Sequence, residues 1–263
     1  MKIDRAQAIR QFLFTNGPSQ IAAMAEAVGA SPATLRRDLL LLENEGIVVR
    51  EHGGARLAGE AETEVAFEQR EAQAIVAKRA IAAHAFASIV PGSVIFLDSG
   101  TTVLQLARCI RMAPMSLTVF TNCLPAAQVL MGVPGVKLTL TGGVLRKENS
   151  SMVGPVAEAT LDGLWLSHLF LGAGAVGDDG RISSADESEA QLNRKMIARS
   201  ETTTLLVDAA KFGRRLTYEV APLSRIGRTI TDVGISADRL TGLRRAGHVV
   251  EVAECDMPKV AEA

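Results

Sequence analysis

Two groups of residues carry chemistry by their type and spacing. The first is Asp98-Ser99-Gly100-Thr101-Thr102, set between an apolar run, Ser93–Leu97, and a segment with helical periodicity. A small, hydroxyl-rich turn where a strand hands over to a helix offers free backbone N–H groups, a favourable dipole and Ser/Thr donors, which suits an anion. A plain N-cap turn would use the same residue types. Further turns follow other strand-like runs: Thr121-Asn122, then Thr141-Gly142-Gly143 with Arg146, then Lys211 in Asp208-Ala209-Ala210-Lys211-Phe212-Gly213. In an open α/β sheet, ligands bind at the edge such turns share. Arg146 or Lys211 can neutralise a phosphate, Asp98 and Asn122 can take sugar hydroxyls, and the glycines admit a ligand close to backbone.

The second group is Ser31-Pro32-Ala33-Thr34-Leu35-Arg36-Arg37-Asp38-Leu39. Ser31 reads as an N-cap and Pro32 as the first helical residue, where a missing N–H costs nothing. Leu35, Leu39 and Leu42 recur at helical spacing and face a core, which leaves Thr34, Arg37 and Asp38, with Arg36 a further candidate DNA contact, on other sides near the helix start. That is the part of a recognition helix that enters the major groove. An arginine there can pair with guanine or grip phosphate. Arg50, His52 and Arg56 flank Gly53-Gly54 in a second basic patch, and the glycines let backbone approach DNA closely. An ordinary helical domain with solvated arginines, or a protein-interaction module, would also fit this pattern.

The elements that position these residues follow from periodicity and breakers. Arg5–Thr15 reads as a helix ended by Asn16-Gly17-Pro18. Ser19 is expected to cap a second helix, terminated by Gly29. The helix after Ser31 runs to Gly46. Ile47–Arg50 and Ala55–Leu57 form a hairpin about His52-Gly53-Gly54, so three helices and a hairpin make a winged helix. Farther on, strands at Ser93–Leu97, Leu117–Thr121, Val136–Thr141, Leu166–Leu171, Thr203–Val207, Arg228–Thr231 and Val249–Val252 alternate with helical segments. Such alternation predicts a mostly parallel sheet covered by helices. The expected organisation is a winged helix at 1–57, a linker at 58–74, a ligand-sensing α/β domain at 75–255 and a tail at 256–263.

Composition limits the alternatives. The 263 residues are 48% hydrophobic, ample for a packed core, and carry a net charge of −1. Residues 1–57 hold 7 Lys/Arg against 6 Asp/Glu, so DNA binding must rest on where the arginines sit. Three cysteines with no CxxC pair and 4 scattered histidines support neither a disulfide framework nor a structural zinc. No apolar run reaches the roughly 18 residues of a membrane span, and a reducing cytosol is the expected setting. Gly172-Ala173-Gly174-Ala175-Val176-Gly177 matches a dinucleotide fingerprint, yet Asp178-Asp179-Gly180 predicts a turn where a helix should open. No cofactor is expected. His84 and His168 read as packed, and Asp186, Glu187 and Glu189 as a solvated helix start.

Taken together, Ser31-x-x-Thr34-x-Arg36-Arg37-Asp38-Leu39, Leu42-Glu43-x-x-Gly46 and Arg50-x-His52-Gly53-Gly54-Ala55 resemble the N-terminal signature of the DeoR family of bacterial transcription regulators. The second helix, Ala22–Ala27, departs from the leucine-based pattern more usual there. The resemblance continues through Lys78-x-x-Ile81-Ala82, Asp98–Thr102, Thr121-Asn122, Gly142-Gly143, Gly154-Pro155, Phe170–Ala173, Asp208–Phe212 and Thr231-Asp232. It implies a sensor domain akin to ribose-5-phosphate isomerase, a phosphorylated sugar or polyol as effector, control of operator DNA (usually repression) and a homo-oligomer. Isomerase chemistry needs a carboxylate to shuttle a proton. If Gly172-Ala173 aligns with the isomerase's Asp-Gly-Ala-Asp segment, its acids become Leu171 and Gly174, which favours binding without turnover. Asp98 and Glu187 remain possible bases.

Overall fold

The computed structural model describes residues 5–44, 47–51, 53–57, 67 and 70–254. The chain divides into two compact units, Met1–Ala66 and Phe67–Ala263.

The first unit contains α1 (Arg5–Asn16), β1 (Ser19–Gln20), α2 (Ile21–Ala27), α3 (Pro32–Asn44), β2 (Val48–Glu51) and β3 (Gly54–Leu57). The strands form an antiparallel sheet in the order β1-β3-β2. Ile9, Leu13, Met24, Leu35, Leu39, Leu42 and Val48 make its core. A buried leucine of this kind contributes about 1.5–3 kcal/mol. Ser31 caps α3 as expected: its Oγ accepts from the Thr34 N–H at 3.2 Å and lies 2.9 Å from the Thr34 hydroxyl. The expected cap at Ser19 is not formed. Ser19 pairs with Ala55 in the sheet and donates its hydroxyl to the Gly17 carbonyl at 3.0 Å, because a place in the ladder satisfies its backbone as a cap could not. His52, Gly46, most of the expected linker and the expected tail lie outside the described residues.

The second unit is built on a seven-stranded sheet of order β15-β14-β12-β9-β4-β5-β6, every neighbouring pair parallel. Its strands are β4 (Val94–Leu97), β5 (Leu117–Thr121), β6 (Val136–Leu140), β9 (Leu166–Leu171), β12 (Ser200–Leu206), β14 (Arg228–Asp232) and β15 (Val250–Ala253). Both faces are covered, which is why the strands read as apolar runs rather than alternating ones. Ile95 and Leu97 enter one core with Val103, Ile110 and Val119, while Phe96 enters the opposite one with Leu169, Leu171 and Leu205. Helices α4 (Ile75–Phe86), α5 (Thr101–Met112), α6 (Leu124–Leu130), α7 (Pro155–Asp162), α8 (Glu187–Ala198) and α9 (Ala237–Arg245) complete the unit. Strand order reverses between β4 and β9, with β5 and β6 on one side and β12, β14 and β15 on the other. A crevice opens where an open sheet reverses in this way.

Several short elements had no counterpart in the sequence reading. β7 (Val144–Arg146) and β8 (Ser151–Val153) form an antiparallel hairpin, while β10 (Ala175–Val176), β11 (Arg181–Ser184) and β13 (Tyr218–Pro222) form a small sheet of their own. The fingerprint at Gly172–Gly177 thus leads into β10 and a turn, not a helix. Part of the expected linker lies in this unit, since Phe67 is buried in its core and Glu71 pairs with Arg108 at 2.5 Å. His84, expected to pack, is exposed and meets Glu251 at 2.8 Å, because it stands on the polar side of α4. His168 does pack, stacked 4.2 Å from the Phe170 ring; burial and the nearby Arg228 lower its pKa to about 4. Among the described residues no helix is long and apolar enough to cross a membrane.

Candidate functional site

The turn after β4 meets the turn after β9 at the switch point. Asp98 donates its backbone N–H to the Phe170 carbonyl at 3.0 Å, and its Oδ2 accepts from the Gly172 N–H at 3.0 Å. A Cβ on Gly172 would stand 2.9 Å from the Ser99 carbonyl oxygen, so only glycine lets the two loops come this close. Asp98 is 1% exposed. Burial, then the Glu189 carboxylate, push its pKa up to about 8, against the opposing pull of the Gly172 and Ser99 amides and the Asn122 side chain. Its other oxygen, Oδ1, has no hydrogen-bond partner among the described residues. A buried polar atom left so costs about 1–3 kcal/mol.

The neighbouring turn repeats this feature. Asn122, fully buried, donates from Nδ2 to the Met152 carbonyl at 3.5 Å, and its Oδ1 is also without a partner. Thr121 is different. Its hydroxyl donates to the Leu97 carbonyl at 2.6 Å and accepts from the Cys123 N–H at 3.0 Å, so it fastens β5 to β4 and offers little to a ligand. Gly100 opens α5 at φ 141°, a conformation that favours glycine, and a Cβ there would project into open space. Ser99 and Thr102 are buried beside it, while Thr101 is half-buried.

The turn after β6 is arranged otherwise than expected. A Cβ on Gly143 would lie 2.5 Å from the Val153 carbonyl oxygen, so this glycine closes the β7–β8 hairpin instead of admitting a ligand. Gly142 precedes it at φ 73°. The Arg146 guanidinium is already engaged: Nη1 meets Glu189 Oε2 at 2.9 Å and Nε lies 3.4 Å from Asp186 Oδ2. The Glu189 carboxylate also accepts from the Ser184 hydroxyl at 2.8 Å and from Asn149 Nδ2 at 3.2 Å. Asn149 Nδ2 is in turn 3.3 Å from the Ser99 hydroxyl. Glu189 therefore stands in the first turn of its helix as a half-buried member of this hydrogen-bonded cluster rather than a solvated acid. Asp186 does start the helix, accepting from the Glu189 N–H at 2.9 Å.

Two cations that the sequence reading did not select complete the lining. Lys78 is 4% exposed, and its ammonium donates to the Arg70 carbonyl. Burial lowers its pKa; the Asp208 carboxylate opposes this, and the charges of Lys211 and Arg70 add to it. Arg70 is exposed at the surface, and its partial desolvation and the Arg146 charge lower its pKa while Glu189 opposes them. Lys211 sits on the turn after β12, whose first residue, Asp208, accepts from the Ala210 N–H at 3.2 Å. Lys78 was detectable in principle, as a charge on the same helical stripe as Ile81, Ala82 and Ala85, all buried. Nothing in the local sequence marks Glu189 or Asn149. Thus Asp98, Ser99 and Asn122 come together with Asn149 and Glu189, with Gly100 and Thr102 on the same turn as Ser99, while Lys78 feels the charges of Asp208 and Lys211. Thr121 and Gly143 serve the framework.

In the first unit Arg36 and Arg37 are exposed on α3 and pair with no carboxylate among the described residues. Asp38 is held by Arg5, with contacts of 2.5 and 3.1 Å. Arg50 meets Glu43 at 2.7 Å, and this hydrogen bond lowers the Glu43 pKa. Arg56 is half-buried on β3.

Family models match both units: a DeoR-like helix-turn-helix domain over residues 5–61 and a DeoR C terminal sensor domain over 73–233. The chain is 36% identical over 254 residues to a protein of Escherichia coli O157:H7 named as an aga operon transcriptional repressor, covering 95% of this chain and 94% of the relative. It is 32% identical over 247 residues to the HTH-type transcriptional regulator GlpR of Haloferax volcanii, covering 94% and 96%. Ribose 5-phosphate isomerase A of Methanocaldococcus jannaschii is similar over 51% of this chain and 53% of that one, at 18% identity and a TM-score of 0.38.

Proposed function

The chain belongs to the DeoR family of transcriptional regulators, and on that premise we propose how its two units divide the work. The N-terminal unit docks α3 in the major groove of operator DNA, with Arg36 and Arg37 as the principal contacts and Ser31, Thr34, Arg50, His52 and Arg56 as supporting ones. The second unit binds a phosphorylated sugar or polyol at the β4/β9 switch point. The phosphate lies against the Ser99–Thr102 amides, Lys78 and Lys211, and the sugar hydroxyls hydrogen-bond with Asp98 and Asn122. The protein acts in the cytosol as a homo-oligomer, represses a carbohydrate or polyol catabolic operon, and releases DNA when the effector binds.

One observation carries the effector reading: Asp98 Oδ1 and Asn122 Oδ1 are buried without partners among the described residues, on adjacent strand-end turns. Native interiors rarely leave such atoms unmatched, and a polyol hydroxyl, donor and acceptor at once, can pair with the protonated Asp98 carboxyl and with the Asn122 oxygen. The test is a thermal-shift screen of the full chain against sugar phosphates, the matching free sugars and inorganic phosphate, followed by a gel shift on upstream DNA. A sugar phosphate at one hundred times its Kd should stabilise the fold by about 2.7 kcal/mol. It should also shift operator binding, and a panel without effect on either would refute the site.

A second reading, sugar-phosphate isomerisation, is favoured by the pairing of Asp98, held at a raised pKa of about 8, with the nearby Glu189 carboxylate. Turnover of any panel member in an isomerase assay would replace binding with catalysis.

A further inference from the structure

We propose that two copies of the chain meet through the edge of the large sheet opposite the crevice, an inference that rests on the homo-oligomer reading above. The strands are parallel, so every turn that enters a strand lies at that edge. The turns into four neighbouring strands, β9, β4, β5 and β6, each hold a large apolar side chain in solvent. These are Trp165, Val90, Met112 and Met131, exposed by 67%, 66%, 76% and 71%. Hydrogen bonds hold three of the turns side by side, from the Gly92 N–H to the Ser116 carbonyl at 2.6 Å and from the Leu117 N–H to the Gly135 carbonyl at 3.0 Å. The pairing of Ile95 with His168, counted back along both strands, sets Trp165 level with Gly92.

The four side chains alone offer on the order of 500 Å², as much as the largest apolar patch usual on a monomer. Exposed prolines in the same turns, Pro91, Pro114 and Pro134, extend this toward the roughly 800 Å² per partner of a standard interface. The prolines also fix the turns in advance, which lowers the ordering cost of association. Trp and Met are residue types enriched at the centres of interfaces. Charges bordering the patch are of both signs and already engaged. Asp162 holds Lys195 at 2.8 Å and Arg199 at 3.4 Å, and Arg111 donates to the Val129 carbonyl at 2.9 Å. DNA or an anionic membrane would call for a field of one sign, whereas a second copy meets no net repulsion here. Pairing also answers a need of the first unit. With 7 Lys/Arg against 6 Asp/Glu over residues 1–57, one copy grips DNA weakly, and a joined pair raises the effective concentration of the second grip. Each crevice, at the other end of the strands, stays open in the pair.

Trp165 is the only tryptophan of the chain, so indole fluorescence reports on this surface alone. The test follows emission, iodide quenching and mass by light scattering for the full chain across a dilution series. At high concentration the mass should be that of two chains or a multiple, with blue-shifted emission shielded from iodide; dilution should lower the mass and expose the indole together. Met112→Glu, which keeps the reporter, should raise the dissociation constant of the pair at least about thirtyfold. Met131→Lys should do the same independently, and it decides the matter should the first variant fail to fold. An oligomer whose indole stays open to iodide, or whose mass both variants leave unchanged, overturns the inference: the copies then meet elsewhere and the homo-oligomer reading stands. A shielded indole at the mass of one chain also overturns it, because the edge is then covered within a single copy. A single-chain mass at every concentration sinks the homo-oligomer reading and this inference with it, and leaves the effector reading untouched.

Discussion

The two units present cations in opposite ways. On α3, Arg36 and Arg37 stand in solvent, and two other arginines of that unit lean on nearby carboxylates, Arg5 on Asp38 and Arg50 on Glu43. In the second unit Lys78 is buried, Arg146 is shielded, and unmatched oxygens sit close by at Asp98 and Asn122. An exposed cation costs little to maintain and is screened by salt, so it suits a long polyanion met in many registers. A buried cation is held at a loss in solvation, which only a fitted anion makes good, so it suits a small ligand that must be told from its neighbours. Selectivity resides where the protein accepts local instability.

That contrast can be broken or sharpened by measurement. The largest effect concerns Asp98. Its folded pKa of about 8 lies above the ordinary value of 3.8, so the folded chain keeps a proton that the unfolded chain has released. Stability from this group is fully present below about pH 4 and is lost as pH rises toward 8, by up to about 1.4 kcal/mol per unit. Denaturant titrations of wild type and Asp98→Asn across that range should differ by this slope, and parallel curves would show that the carboxyl is not held neutral. Next is the double change Lys78→Met with Lys211→Ala. Sugar-phosphate affinity should fall on the order of a thousandfold, roughly 4 kcal/mol, while the melting temperature does not drop. A joint fall in both would make the lysines structural and erase the contrast.

On the exposed side, Arg37→Ala should weaken operator binding by about 1–3 kcal/mol if the residue reads a base. If it grips phosphate instead, the salt slope should drop by about one unit and all sequences should suffer alike. Smallest is Glu43→Ala, which frees Arg50. Thermal unfolding should hardly change, since exposed ion pairs contribute little, and a marked loss would show the wing to be less solvent-like than described.

The sheet was legible because its strands are short apolar runs with breakers between them; Leu117–Thr121 and Leu166–Leu171 have the observed bounds. The β7–β8 hairpin and β11 were not, since Val144–Arg146 and Arg181–Ser184 are too short for periodicity to register. Of the crevice, the Asp98–Thr102 turn was readable from residue type at a strand end. Glu189 was not, because an acid in the first turn of a helix has a ready explanation in the helix dipole. Its role depends on Arg146 and Asn149, which only the tertiary fold brings to it.

The reversal of strand order between β4 and β9 has a consequence for how the protein is made. The described contacts of the first unit's core, Arg5 with Asp38 and Ser19 with Ala55 among them, all fall within its first 57 residues, so a ribosome that has released that unit can leave it to fold at once. The crevice must wait for β9 to arrive against β4 and for the turn at Lys211 to follow. Each newly synthesised copy therefore passes through an interval in which its gripping half is finished and its listening half is not.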